Sequence, residues 1–345
     1  YIAWALAALA AILYLNTLGH QYAFEDSIVI SNNSFTLQGL SGIYDLMTRD
    51  FFEGIYGEQG MNLSGGRYRP LSLVMFAIEA HFFPGQAWVG HFVNITLYAF
   101  SAALLYKVLL LWLTPNKTAQ VLSFITALLF VSHPTHTEVV ANIKSRDEIL
   151  GILFLLLSLK ALYQYISSTQ RLNLVVACLC FLLAMLSKEN AFTYVVIFPL
   201  FLYVFLHKSL KSSLISCLPI IATAVFYVAL RSFMLHKEPV AGTIVAQINP
   251  DIMENPFVGA DITTWLATIG LIMWKYIALL LVPYPLSCDY SFNQIPWTNF
   301  SNPQAILGWL FYIGIGLYAT INIWKRDALS LAILMYLAPL SLVLN

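Results

Sequence analysis

The sequence has 345 residues, of which 59% are hydrophobic and only 10% charged; its mean hydropathy is +0.76, and 17 Lys+Arg balance 17 Asp+Glu. A soluble domain carries about 25% charged residues, so this composition excludes one and points to a chain embedded in a bilayer. A net charge of zero lacks the basic footprint of a nucleic-acid binder, and the alternating hydrophobicity of membrane barrel strands is missing.

The predicted elements are apolar helices, spanning approximately residues 1–19, 90–113, 118–133, 149–166, 172–187, 191–206, 214–231, 263–283, 304–324 and 327–344. Each approaches or exceeds the roughly 20 residues that cross a bilayer as helix. The expectation is an all-α polytopic membrane protein with nine or ten hydrophobic helices in one domain, residues 1–345. The chain opens at Tyr1 inside an apolar run and closes at Asn345 in another, as a piece of a longer polypeptide would. No basic n-region precedes the first segment, so no cleavable signal is expected. The four Cys (Cys178, Cys180, Cys217, Cys288) offer neither a disulfide framework nor a zinc spacing.

Charge is sorted between the gaps. All carboxylates except Asp289 and Asp327 fall in 20–88, 133–148, 187–190 and 231–262, whereas the alternate gaps hold Lys107, Lys117, Lys160, Arg171, Lys208 and Lys211 and no carboxylate. Basic-only loops mark the cytoplasmic side, which puts the carboxylates and two long loops, 20–88 and 232–262, on the extracytoplasmic face. The first of these carries turn signals at Gly39–Gly42 and Ser64–Gly66 and an amphipathic stretch at Ile43–Met47, which predicts short interfacial helices. The second is rich in Pro, Asn and Asp and is expected to be irregular. Beyond residue 262 a single crossing by 263–283 conflicts with Lys325-Arg326, and a re-entrant or surface-lying segment resolves the conflict while keeping Asp289 outside.

Chemistry-bearing residues cluster on that outer face. Glu25-Asp26 follows the first segment; paired carboxylates beside a membrane supply a general base with a raised pKa, or a solvated acidic turn. Arg69 precedes Pro70, is held extended, and presents a fork suited to phosphate or carboxylate, or to a lipid headgroup. His133-Pro134-Thr135-His136-Thr137-Glu138 leads into Lys144, Arg146, Asp147 and Glu148. Its HxxHxE spacing is not an established ligand set, so hydrogen-bonding roles are preferred to a divalent metal. Thr135 or Thr137 is expected to cap the next helix. Lys144 and Arg146, two apart, should reach separate groups. Lys188-Glu189 forms a tight outer turn, either self-neutralising or pairing across with 138–148. Arg231 closes the seventh segment, and Asp289-Tyr290 lies in a Pro-broken turn as a cavity lining or a helix cap. Acid and base groups among cations at a lipid surface suit sugar transfer from a polyprenyl phosphate, where cations stabilise the leaving phosphate and a carboxylate deprotonates the acceptor hydroxyl. A secondary transporter is the alternative, although carriers place their sites at the midplane, often with inverted repeats, and no repeat is visible.

In this order, Glu25-Asp26, Tyr68-Arg69-Pro70-Leu71, His133-Pro134 with His136-Thr137-Glu138, Lys188-Glu189, Asn255-Pro256, and Leu286-Ser287 through Asp289-Tyr290-Ser291 with Ile295-Pro296 resemble the TMTC-like protein O-mannosyltransferases. These are GT-C-type enzymes usually followed by tetratricopeptide repeats, of which this sequence shows none. The resemblance implies inverting transfer of mannose from a polyprenyl-phosphate-mannose donor to Ser or Thr of secretory or periplasmic proteins, with no firm cofactor. Another sugar or a lipid acceptor stays open. The family usually shows Asp-Asp where this chain has Glu25-Asp26, which favours Asp26 as base. Donor-binding candidates are Arg69, His136, Glu138, Lys144, Arg146, Lys188, Glu189, Arg231, Asp289 and Tyr290. Lacking long inserts, the chain is expected in a bacterial inner membrane, with the endoplasmic reticulum as the alternative.

Overall fold

The computed structural model describes residues 1–57, 67–113, 116–235, 257–288, 290 and 294–342. Among them there is no strand, and every predicted apolar segment is a helix. In chain order these are α1 (Ile2–Tyr14, continued by a 3₁₀ turn to Gly19), the short α2 (Ser34–Leu37), α3 (Ile43–Thr48) and α4 (Glu53–Tyr56), α5 (Pro70–Phe82), α6 (Ala87–Trp112), α7 (Lys117–Ser132), α8 (His136–Ala141) and α9 (Arg146–Ser168). Then follow α10 (Arg171–Ser187), α11 (Tyr194–Phe205), α12 (Leu210–Ser216), α13 (Leu218–Leu235), α14 (Ile262–Leu281), α15 (Pro303–Asn322) and α16 (Ala328–Leu340). Six of these stretches, beginning at Ile2, Ala87, Ile143, Leu218, Ile262 and Pro303, are long and apolar enough to cross a membrane. The chain is a multi-pass membrane protein.

Local chemistry starts these helices. Asn116, Ser209, Asp261, Asn302 and Asp327 each stand at an N-cap and accept a backbone N–H two or three residues on. Asp327, one of the two carboxylates outside the sorted pattern, is thereby a helix cap.

The chain forms two compact units, Tyr1–His236 and Lys237–Asn345. In the first, α1 packs on α6, α6 on α9, α9 on α10, and α10 on α13. Small residues permit the close approach: Ala3, Ala7 and Ala10 recur on one face of α1 and are buried against α6 and α7. The first long loop is more ordered than a string of interfacial helices. α2 and α3 pack onto α5, and Val29, Ile30, Leu46, Phe51, Leu73, Phe76 and Ile143 form a small core of their own. α3 coincides with the predicted Ile43–Met47 stretch. Helix α5, the helix following Arg69, is absent from the predicted apolar spans because its 13 residues give a rise of only about 20 Å, too short for a span-length search. Pro70 at its first position and Arg69 at its N-cap are the signals that mark it.

In the second unit α14 is continuous from Ile262 to Leu281, about 30 Å long. A re-entrant segment must break and turn back, so the re-entrant alternative is corrected, while the surface-lying one is compatible with an unbroken helix. α14 meets α15 at Gly270 and Gly308: a Cβ on Gly308 would lie 1.9 Å from the Gly270 carbonyl oxygen, so only glycine allows this approach. The Ser64–Gly66 turn, Asn255-Pro256, Asp289, Ser291 and residues 236–256 of the second long loop lie outside the described residues.

Candidate active site

The Glu25-Asp26 pair sits where α1 gives way to the first loop, and both residues are held by Lys144. Asp26 is 1% exposed. Its Oδ1 accepts the backbone N–H of Lys144 at 2.8 Å and its Oδ2 that of Ala23 at 3.0 Å. Glu25 turns outward, and Lys144 Nζ donates to its Oε2 at 2.7 Å. Burial pushes the Asp26 pKa up; the two N–H donors and the Arg146 charge oppose the shift, while Glu25 adds to it. Each Asp26 oxygen keeps a second lone pair. A buried carboxylate with raised proton affinity and spare acceptor capacity is chemically equipped to take a proton.

A second network joins three chain segments. The backbone at Arg69 (φ −133°, ψ 60°) carries its side chain away from α5. Arg69 Nε donates to Glu189 Oε2 at 2.6 Å and Nη2 to Oε1, a bidentate fork, while Nη1 donates to Asp147 Oδ2 at 2.9 Å. Lys188 Nζ shares that Asp147 oxygen at 3.3 Å and reaches Glu148 Oε1 at 2.7 Å. Thus Lys188 pairs with the 138–148 region, as one of the sequence alternatives had it, and Glu189 pairs with Arg69. The interior members, Arg69 and Asp147, are buried, while the Glu148 and Glu189 side chains are 43% and 38% exposed. An arriving anion would displace these two half-exposed carboxylates first.

Lys144 and Arg146 do diverge to separate partners, but Arg146 points into the protein. It is fully buried over the Phe76 ring; its Nε donates to Asn94 Oδ1 at 2.8 Å, Nη2 to the Gly90 carbonyl and to Glu79 Oε2 at 3.1 Å each, and Nη1 to Glu79 Oε1. Those contacts tie α5, α6 and α9 together. His136 Nδ1 meets the Tyr98 hydroxyl at 2.8 Å and its ring packs on Phe130; burial first, then His133, lowers its pKa to about 4, so it is neutral at pH 7. Glu138 is exposed on α8, its Oε1 accepting from Ser145 Oγ at 3.4 Å, within electrostatic reach of Lys144, Glu148 and Glu25. Thr135 occupies the α8 N-cap without capping it, because its Oγ1 bonds His133 Nδ1 at 2.7 Å. Among the described residues no group of three or more His, Cys, Asp or Glu is placed to hold a metal ion.

The chain is 31% identical over 162 residues to human Protein O-mannosyl-transferase TMTC2, covering 47% of this chain and 18% of that protein. It is 32% identical over 156 residues to human TMTC1, covering 44% and 17%, and 28% identical over 189 residues to Tmtc1 of Drosophila melanogaster, covering 54% and 21%. Over these stretches the chain is similar to the TMTC proteins. The matches span about a fifth of the length of these curated relatives. No family model matches the chain, and no solved structure matches it.

The sequence raised no expectation of Glu79 and Asn94 as partners. Asn94 and Glu79 lie inside apolar helices, where a lone polar residue is itself a signal that a buried partner exists. Arg231 lies near the end of α13, and Tyr227, one turn before it, is within electrostatic reach of Glu189, Arg231 and Arg69. Tyr290 belongs to the second unit and is exposed.

Proposed function

We propose that this chain is the membrane part of an inverting glycosyltransferase that moves mannose from a polyprenyl-phosphate donor to Ser or Thr hydroxyls of proteins, on the extracytoplasmic side. The observation that carries the reading is that one short segment, Lys144 to Glu148, holds the buried Asp26 by its backbone and the Arg69–Glu189–Lys188 network by Asp147 and Glu148. Base and cations are therefore built onto one piece of chain. The names of the relatives, protein O-mannosyl-transferases, supply the sugar and the acceptor class. The two units are taken as one GT-C-type membrane domain.

In the proposed step the acceptor oxygen attacks C1 of mannose from the face opposite the phosphate. The C1–O bond to phosphate breaks, its electron pair leaves on the lipid phosphate, and the hydroxyl proton passes to Asp26. Lys144, Lys188, Arg69 and Arg231 take the phosphate charge, displacing Glu25, Glu148 and Glu189 from their present partners. Glu138 and neutral His136 are assigned to hydroxyl and headgroup contacts, and Arg146 holds the frame. The lack of long inserts in the sequence favours the periplasmic face of a bacterial inner membrane; the animal origin of the named relatives fits an endoplasmic reticulum lumen.

The test is transfer of radiolabelled mannose from polyprenyl-phosphate-mannose to a Ser/Thr acceptor protein in proteoliposomes. Asp26→Asn should lower kcat at least a hundredfold, the low end of general-base contributions of about 10²–10⁴. Unchanged turnover removes Asp26 as base, and solute flux without sugar transfer replaces the enzyme reading with a carrier.

A further inference from the structure

We propose that Tyr227 binds the donor phosphate, its phenolic hydroxyl donating a hydrogen bond to a phosphate oxygen of a polyprenyl phosphate; this rests on the function proposed above. Tyr227 is 2% exposed, and its hydroxyl oxygen has no hydrogen-bond partner among the described residues. Thr223 donates to the Pro219 carbonyl at 2.9 Å and Ser101 to that of Leu97 at 2.9 Å, whereas the Ser123 and Ser213 hydroxyls, like that of Tyr227, are buried with no partner among the described residues. A phenol is too long and rigid for that return bond and must find a tertiary partner. The buried Tyr98 does so, with the Val131 carbonyl at 3.1 Å and His136 at 2.8 Å.

What surrounds Tyr227 says what the partner is. Its helix packs on α10, which runs into Lys188-Glu189, and Glu189 bonds Arg69; Arg231, four residues on, shares its helix face. Glu189 accepts from Arg69 on both oxygens and makes no hydrogen bond to the Tyr227 hydroxyl. An anionic oxygen arriving beside Arg231 and Arg69 meets the hydroxyl with cations already in place, and hydrogen bonds to charged groups are the strong ones.

A separate feature suits a phosphate that carries an apolar tail. An open apolar groove of about 510 Å³ runs between α10 and α13, lined by Leu174, Cys178 and Leu182 on one side and Pro219, Ala222 and Phe226 on the other. Both helices end at the charged cluster, α10 at Lys188-Glu189 and α13 past Arg231, and Phe226 adjoins Tyr227 in the chain. An isoprenoid tail lying in this groove delivers its phosphate to the Tyr227 end.

The experiment measures farnesyl phosphate binding to the protein in nanodiscs, with inorganic phosphate and phosphatidic acid as further probes. Tyr227→Phe keeps the ring and removes only the unpartnered hydroxyl, so it should bind farnesyl phosphate about tenfold more weakly with an unchanged unfolding midpoint. It should also raise KM for the lipid donor more than it lowers kcat. Leu182→Trp, which fills the groove, should weaken farnesyl phosphate and leave inorganic phosphate unaffected. Equal affinity of wild type and Tyr227→Phe overturns the assignment, as does a loss of stability without a loss of affinity. Phosphatidic acid binding as tightly as farnesyl phosphate overturns the polyprenyl selectivity. A wild type that transfers no mannose refutes the proposed function alone, since the Tyr227→Phe affinity still decides the phosphate site.

Discussion

At the scale of single residues, the charged side chains of this protein differ in what their removal would do. Arg146 is fully buried and its guanidinium is engaged by Glu79, Asn94 and Gly90. Arg146→Met strands the Glu79 carboxylate and should cost about 3–5 kcal/mol, the usual penalty for breaking a buried pair from one side. Adding Glu79→Leu removes the stranded charge and should recover most of that loss, as read by denaturant unfolding in detergent. His136 makes the opposite kind of prediction. Its folded pKa of about 4 lies below the ordinary 6.5, so between those values the unfolded chain binds the extra proton. Stability should therefore fall as pH drops from about 6.5 to about 4 and level off below, by up to about 3 kcal/mol. His136→Gln should flatten that window. Asp26 must be ionised to act as base, and burial raises its pKa. The acid limb of the pH–kcat/KM profile should consequently lie above the ordinary Asp value of about 3.9.

At the scale of elements, the apolar spans were legible because hydrophobic length is a one-dimensional property. α6, α9, α10, α14 and α15 lie where hydropathy puts them, within a few residues. The α14–α15 contact was not legible, since nothing in the sequence distinguishes Gly308 from Gly316. A Cβ at Gly308 would strike the Gly270 carbonyl, whereas one at Gly316 meets nothing within 4 Å. Gly308→Ala should destabilise the protein by about 1–3 kcal/mol. Gly316→Ala should be neutral or gain up to about 1 kcal/mol. Comparing the two midpoints in detergent separates the contact from helix propensity. Helix α5 and the small core of the first loop show the same limit. That loop reads as polar connector, yet Leu46, Phe51, Leu73 and Phe76 find one another across sequence gaps that no local pattern spans.

At the scale of the whole molecule, charge sorting makes the topology testable. In a Cys288→Ser background, Ser41→Cys in the first loop and Gln170→Cys between α9 and α10 should react with a membrane-impermeant maleimide from opposite sides of oriented vesicles; both positions are exposed. Labelling from the same side would break the inside–outside assignment. By itself the sequence determined the membrane class, the helical spans, the segregation of carboxylates from basic-only loops and the TMTC-like resemblance. These depend on composition, run length and order, all of which are linear. Only the tertiary structure decided which charges meet. It turned Arg146 inward onto Glu79, gave Glu189 to Arg69, divided Lys188 between Asp147 and Glu148, and put both Glu25 and Asp26 on Lys144. A side chain's charge is written in the sequence, but its partner is set by which helix ends the packing brings within 3 Å.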